Sequence, residues 1–107
     1  MSGADETSFS AHSLLGEAGG TDPDRAVDLA KLIVEKSRSV PGPLTLSFQG
    51  VAAVSSGFAN AFFLTLASVR PLDEWSRVLN FVDLGALQSR VMRASLRAAR
   101  TQQGSNS

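Results

Sequence analysis

Apolar and polar side chains change their period along this chain, and each change marks an element. Between Leu44 and Gln49 the period is two: Leu44, Leu46 and Phe48 fall on one side, Thr45, Ser47 and Gln49 on the other. This is the pattern of a strand. A central strand covered on both faces would be apolar throughout, so the alternation predicts a sheet with one face open or only partly covered. After Gly50 the chain passes through Val51-Ala52-Ala53-Val54 to Ser55-Ser56-Gly57. Over residues 56–69 the sequence reads as a helix that is apolar almost all round. Phe58, Ala59, Phe62, Phe63, Leu66 and Val69 dominate it, with Asn60 and Thr65 as its clearly polar members. Such a helix is expected to be buried on most sides. Arg70-Pro71 then ends it.

Upstream, Thr21-Asp22-Pro23 is a helix start. It combines a capping side chain, a proline whose φ suits the first turn, and acidic Asp24 and Asp28 near the positive helix end. A helix is predicted over residues 23–38, with Ala26, Leu29, Ala30, Ile33 and Val34 recurring at three- and four-residue steps. Val40-Pro41-Gly42-Pro43 stops it. Before it, residues 9–15 (FSAHSLL) predict a short first strand and residues 16–20 a loop. Downstream, residues 75–82 (WSRVLNFV) predict a third strand, and Asp83 is placed to cap a last helix over residues 84–101. On that helix Leu84, Leu87, Val91, Ala94 and Ala98 form the expected core side, with Arg90, Arg93, Arg97 and Arg100 on the other.

Strand and helix thus alternate three times, the pattern of a parallel sheet with right-handed crossovers. The expected fold is a small α/β domain, a mostly parallel sheet of three or four strands with helices mainly on one face. If every helix returns to that face, the strands lie side by side in chain order.

Composition narrows the function classes. The chain has 107 residues, enough for one core, with 43% hydrophobic and 19% charged residues and a formal net charge of zero. That balance argues against bulk electrostatic binding to nucleic acid. Cysteine is absent, which removes disulfides, thiolate metal sites and a Cys nucleophile. The apolar run around residues 58–69 is far short of the roughly 20 residues of a membrane span. Residues 1–7 lack the basic and apolar regions of a signal peptide, so the expectation is a cytoplasmic protein. Residues 1–7 and 102–107 are small and polar and are expected to be mobile tails around a domain at 8–101.

No phosphate loop, dinucleotide fingerprint, zinc spacing or nucleophile elbow is present, so a non-enzymatic role without a cofactor or metal is expected. His12 is the one histidine, and reads as a surface or edge residue rather than a general base. Asp22, Asp24 and Asp28 sit where a helix start favours acids in any case.

The serine pair is the most informative stretch. Asp24-Arg25-Ala26 opens the first long helix. Leu44-Thr45-Leu46-Ser47-Phe48-Gln49-Gly50-Val51 forms the strand, and Val54-Ser55-Ser56-Gly57-Phe58-Ala59 the junction. Asn80-Phe81 precedes the helix through Arg90 and Met92. On these residues the chain resembles the STAS-like family of small bacterial proteins without assigned activity, related to the STAS domains of anti-sigma-factor antagonists. The resemblance covers about residues 9–100. It implies a partner of the histidine-kinase-like ATPase or anti-sigma kinase type. In the antagonists the residue before the glycine is a serine or threonine whose phosphorylation switches the complex off, and here that position is Ser56. The antagonists usually carry an aspartate just before the serine pair, and this chain has Val54.

Three functions follow as expectations. The first is a regulatory protein-binding module using Ser55, Ser56, Gly57, Phe58 and Asn60. A phosphate at the first helical turn would meet unpaired N–H groups and the positive dipole end while presenting about two negative charges to a partner. A plain helix cap, worth about 1 kcal/mol, explains the same serines. Gly57 fits either close approach of backbone or partner, or a tight turn. The second function is a small anionic ligand or nucleotide site at the same helix start. The third is an adaptor whose basic helix uses Arg90, Arg93, Arg97 and Arg100, although a solvated face near a helix C-terminus accounts for such a stripe too. The open sheet face would allow self-association in each case.

Overall fold

Leu44, Leu46 and Phe48 are buried, while Gln49 is exposed and Thr45 and Ser47 are half-buried. The period-two pattern therefore reports one-sided cover. In the computed structural model, which describes residues 7–16, 19–40 and 42–104, β1 (Thr7–Ser10), β2 (Leu44–Ser47) and β3 (Leu79–Val82) form a parallel sheet in chain order. The register places Phe9, Leu46 and Phe81 in one row, and Ser8, Thr45 and Asn80 in the next. Leu44, Leu46 and Leu79 are buried on the covered face, with Phe9 and Phe81 packed at its sides. Ser8, Ser10, Asn80 and Val82 are exposed on the other. The molecule is an α/β fold with its helices on one face of a three-stranded parallel sheet.

Two expected strands are corrected in extent. The chain leaves β1 at Ser10, whose Oγ accepts from the Ser13 N–H at 3.3 Å and starts α1 (Ala11–Leu15). Ala11 and Leu15, four apart and both buried, are spaced for a helix rather than a strand. Similarly, residues 72–78 form helix α4 (Leu72–Val78), with Leu72 and Trp75 buried three apart and Asp73 and Glu74 in its first turn. The Trp75 indole donates to the Leu66 carbonyl at 2.8 Å, a bond that requires the helical orientation of this segment. Only its end, β3, is extended.

Helix α2 (Pro23–Ser39) matches its prediction. Asp22 Oδ1 accepts from the Asp24 N–H at 3.0 Å, and Ala26, Leu29, Ala30, Ile33 and Val34 are buried. Helix α3 (Ser56–Ala67) packs beside it and ends two residues early, leaving Val69 43% exposed. It is less enclosed than its composition suggests, because Asn60 is exposed and Leu64 is 49% exposed. Its opposite side carries the main aromatic contacts. Phe62 stacks on Phe58 at 6.4 Å between ring centroids and meets Phe63 and Phe81 edge-on at 5.3 and 6.0 Å.

Helix α5 (Ala86–Gly104) differs from expectation in its cap and in its buried side. Asp83 does not cap it. The Gly85 carbonyl accepts from the Ser89 N–H, and Gln88 Oε1 reaches back to the Gly85 N–H at 2.9 Å, half of a capping box with glycine in the serine position. The side facing the core carries Met92, Ser95 and Ala99, with Leu96 beside them. Ala94 and Ala98 are exposed, and Leu87 is 71% exposed. Leu84 and Val91 of the expected side do pack against the core, partly buried, but its centre is rotated by one residue to Met92, Ser95 and Ala99.

Element ends also move outward. Thr7 belongs to β1, and α5 continues to Gly104. The rest of the expected tails, residues 1–6 and 105–107, lie outside the described residues, as do Glu17 and Ala18 of the expected loop and Pro41 of the expected helix stop. Among the described residues, no helix is long and apolar enough to cross a membrane.

Candidate functional site

In a parallel sheet every strand delivers the chain to the same rim, and ligands and partners of α/β folds gather there. Here the rim is assembled from the residues after β1, β2 and β3. At the end of β2, the Ser47 hydroxyl donates to Asp83 Oδ2 at 2.7 Å and accepts from the Gln49 N–H at 3.3 Å. Asp83 adopts φ 61°, a left-handed conformation that aspartate tolerates better than most residues. The Phe48 N–H donates to the Val82 carbonyl, carrying the β2–β3 pairing one step past the strand. The chain then turns at Gly50, φ 90°, where a Cβ would lie 3.0 Å from the His12 ring. His12 is exposed, as expected of a surface residue, but it stands on α1 against this turn rather than on a strand.

Residues 51–55 are held from two sides. On one, Gln88 Nε2 donates to the Val51 carbonyl at 2.8 Å, so the side chain that starts α5 also anchors this loop. On the other lies the 3-10 turn Gly19–Thr21, whose Gly20 carbonyl accepts from the Ser55 N–H at 3.0 Å. Gly20 is packed so closely that a Cβ there would collide with the Ala53 carbonyl and stand 2.9 Å from Val51 Cγ1. Neither contact was foreseen. The signals present in the sequence were the adjacent glycines at 19 and 20 and a glutamine three residues after Gly85.

This clamp sets the two serines apart. Ser55 is the N-cap of α3: its Oγ accepts from the Phe58 N–H at 3.0 Å, and it is half-buried. Ser56, the first helical residue, is exposed and makes no hydrogen bond from its side chain to another described residue. Gly57 and Asn60 are exposed on the same end of the helix. Phe58 is not part of that surface. It is fully buried and stacked on Phe62, so it supports the site from beneath, a correction to its expected role.

The start of α2 adjoins the start of α3. A Cβ on Gly57 would lie 3.5 Å from Pro23 Cγ, ordinary contact, and Gly57 has no positive φ. A tight turn and close backbone approach are therefore both excluded as reasons for glycine here. Exposed Asp22, Asp24 and Asp28 lie in and just before the first turns of α2, giving this end of the helix pair an acidic flank. Asp22 is occupied as a cap, and among the described residues no group of three His, Cys, Asp or Glu side chains is placed to hold a metal ion.

The four arginines of α5 are all exposed, on the helix side that avoids Met92 and Ala99. Arg100 pairs with Asp73 on α4 at 2.6 Å. None of the four is in the last turn, since the helix extends to Gly104, so the macrodipole does not account for them.

Compared with known proteins, the chain matches no family model, no curated protein and no solved structure.

Proposed function

We propose that this chain is a non-enzymatic regulatory module of the STAS-like type, working in the cytoplasm. A protein partner docks on Ser56, Gly57 and Asn60, and phosphorylation of Ser56 releases it. The partner class is the histidine-kinase-like ATPase or anti-sigma kinase that the junction's resemblance implies. One observation carries the reading: the serine pair divides its work. Ser55 is committed to capping α3, while the hydroxyl of Ser56 stands exposed at the same helix start. A pair that merely capped the helix needs one hydroxyl. A phosphate on Ser56 would add bulk and about two negative charges beside the exposed carboxylates of Asp22, Asp24 and Asp28, and this disrupts a contact fitted to the bare hydroxyl.

Ser56→Asp places a carboxylate at the first helical position, which the helix dipole favours by about 0.3–1 kcal/mol. Its thermal midpoint is therefore expected within a few degrees of the parent. Proteins retained by the immobilised parent chain from its native cells, quantified by mass spectrometry, should be retained by Ser56→Ala and depleted at least several-fold by Ser56→Asp. Equal retention by all three variants removes the switch.

Gly57→Ala tests the docking surface separately. The site has room for a methyl group and the backbone suits alanine, so the change should stabilise the chain by about 0.5–1 kcal/mol in urea denaturation. The same methyl group protrudes beside Ser56 and should weaken retention of the partner. A variant that is both more stable and fully competent would show that the partner does not touch this turn.

A further inference from the structure

The α5 arginines have no role in the junction, and their setting points to a ligand of its own. Residues 86–104 contain four arginines and no acid, so the three- and four-residue pairing that stabilises an ordinary solvated charged face is missing within the helix. Arg93, Arg97 and Arg100 succeed one another at steps of four and three, which puts them along one side and makes them repel one another. All three line a groove of about 800 Å³ between α4 and α5, floored in part by Leu96. The one carboxylate lining it is Asp73, and it is engaged with Arg100. Among the described residues Arg93 and Arg97 are in no ion pair. The groove therefore carries three guanidinium groups against one carboxylate, with the two unpaired ones a single helical turn apart.

We propose that this groove binds a phosphate group, with Arg93 and Arg97 closing on it as a clamp and Arg100, steadied by Asp73, at its edge. Guanidinium groups suit this work because each presents a planar fork of donors that matches phosphate oxygens. Binding would relieve the repulsion between neighbouring arginines, which the bare helix leaves uncompensated. The phosphate is carried either by a soluble phosphorylated small molecule or by the headgroup of an anionic phospholipid, and these two sources are separated by experiment.

The full chain would be titrated with pyrophosphate while amide and arginine Nε shifts are recorded. In parallel, it would be sedimented with vesicles of phosphatidylcholine alone or mixed with phosphatidylserine. Shift changes concentrated at Asp73 and residues 93–101 on adding pyrophosphate identify a soluble source, and sedimentation with the anionic vesicles alone identifies a headgroup. Either result supports the clamp, provided that Arg93→Gln/Arg97→Gln weakens binding tenfold or more and added salt weakens it further. Both side chains are exposed, so this variant should keep the parent's thermal midpoint. Arg38→Gln, on α2, should bind like the parent. The proposal is overturned if neither probe binds, or if Arg38→Gln weakens binding as much as the double variant does. Because none of these variants alters Ser56, the result is independent of the phosphorylation switch.

Discussion

Phe62→Ala is expected to lower the stability of the chain by about 3–5 kcal/mol, the largest loss of any single substitution proposed for it. Phe62 is fully buried and is the one ring in contact with Phe58, Phe63 and Phe81 together, so it joins α3 both to itself and to β3. Truncation removes a whole ring's apolar burial and leaves a cavity that three other aromatic side chains cannot close without moving. For a domain of this size the total stability is on the order of 5–15 kcal/mol, so a large part of it is at stake. Urea denaturation should show a lower midpoint with an unchanged slope. Leu64→Ala, on the same helix but 49% exposed, should stay within about 0.5 kcal/mol of the parent. Losses of similar size at the two positions would mean that α3 is seated differently. The consequence for function is direct: the exposed Ser56 surface exists only while Phe58 and Phe62 hold the helix beneath it.

Gly20→Ala is expected to cost about 3 kcal/mol, the upper part of the range for overpacking a tight site. The added Cβ meets the Ala53 carbonyl, a backbone atom that has no rotamer to retreat into. Either the 3-10 turn or residues 51–55 must shift, and a shift of either lengthens the bond from the Ser55 N–H to the Gly20 carbonyl. Unlike the loss at Phe62, this one is local to the junction. Amide shifts in the variant should change most at residues 51–57, and hydrogen exchange at Ser55 should accelerate. At Gly57, by contrast, an added methyl group has ordinary contacts, so the two glycine substitutions should move stability in opposite directions. A Gly20→Ala variant as stable as the parent, with Ser55 still protected, would show that the turn does not clamp the junction.

Legibility of the sequence varied with the physical origin of each signal. Helix α2 was readable to within a residue because capping, proline geometry and apolar spacing agree at Asp22, Pro23 and Ala26 to Val34. The one-sided cover of the sheet was readable from β2, since alternation at Leu44 to Gln49 is a direct consequence of what lies on each face. Within the two flanking strands that were expected, residues 11–15 and 75–78 were misread, because short runs rich in β-compatible side chains do not separate strand from helix. What decides them is a capping bond from Ser13 to Ser10 and an indole bond from Trp75 to Leu66, and the second joins residues nine apart. At the candidate site the serine pair was visible, but the division of labour within it was not, because it depends on which hydroxyl turns toward the Phe58 N–H.

Local chemistry alone determined where the chain enters α2 and α3, that β2 shows water one face, and that Ser-Ser-Gly opens an apolar helix. Those properties follow from dihedral preferences and from side-chain periods within a few residues. The tertiary structure decided which side of α5 is inward, that Phe58 lies beneath the surface, and that Gly20 and Gln88 hold residues 51–55. It also brought Asp73 to the arginine groove. Each of these is a contact between segments distant in the chain, chosen by how volumes and hydrogen bonds close around the core, and no window of neighbouring residues contains that information.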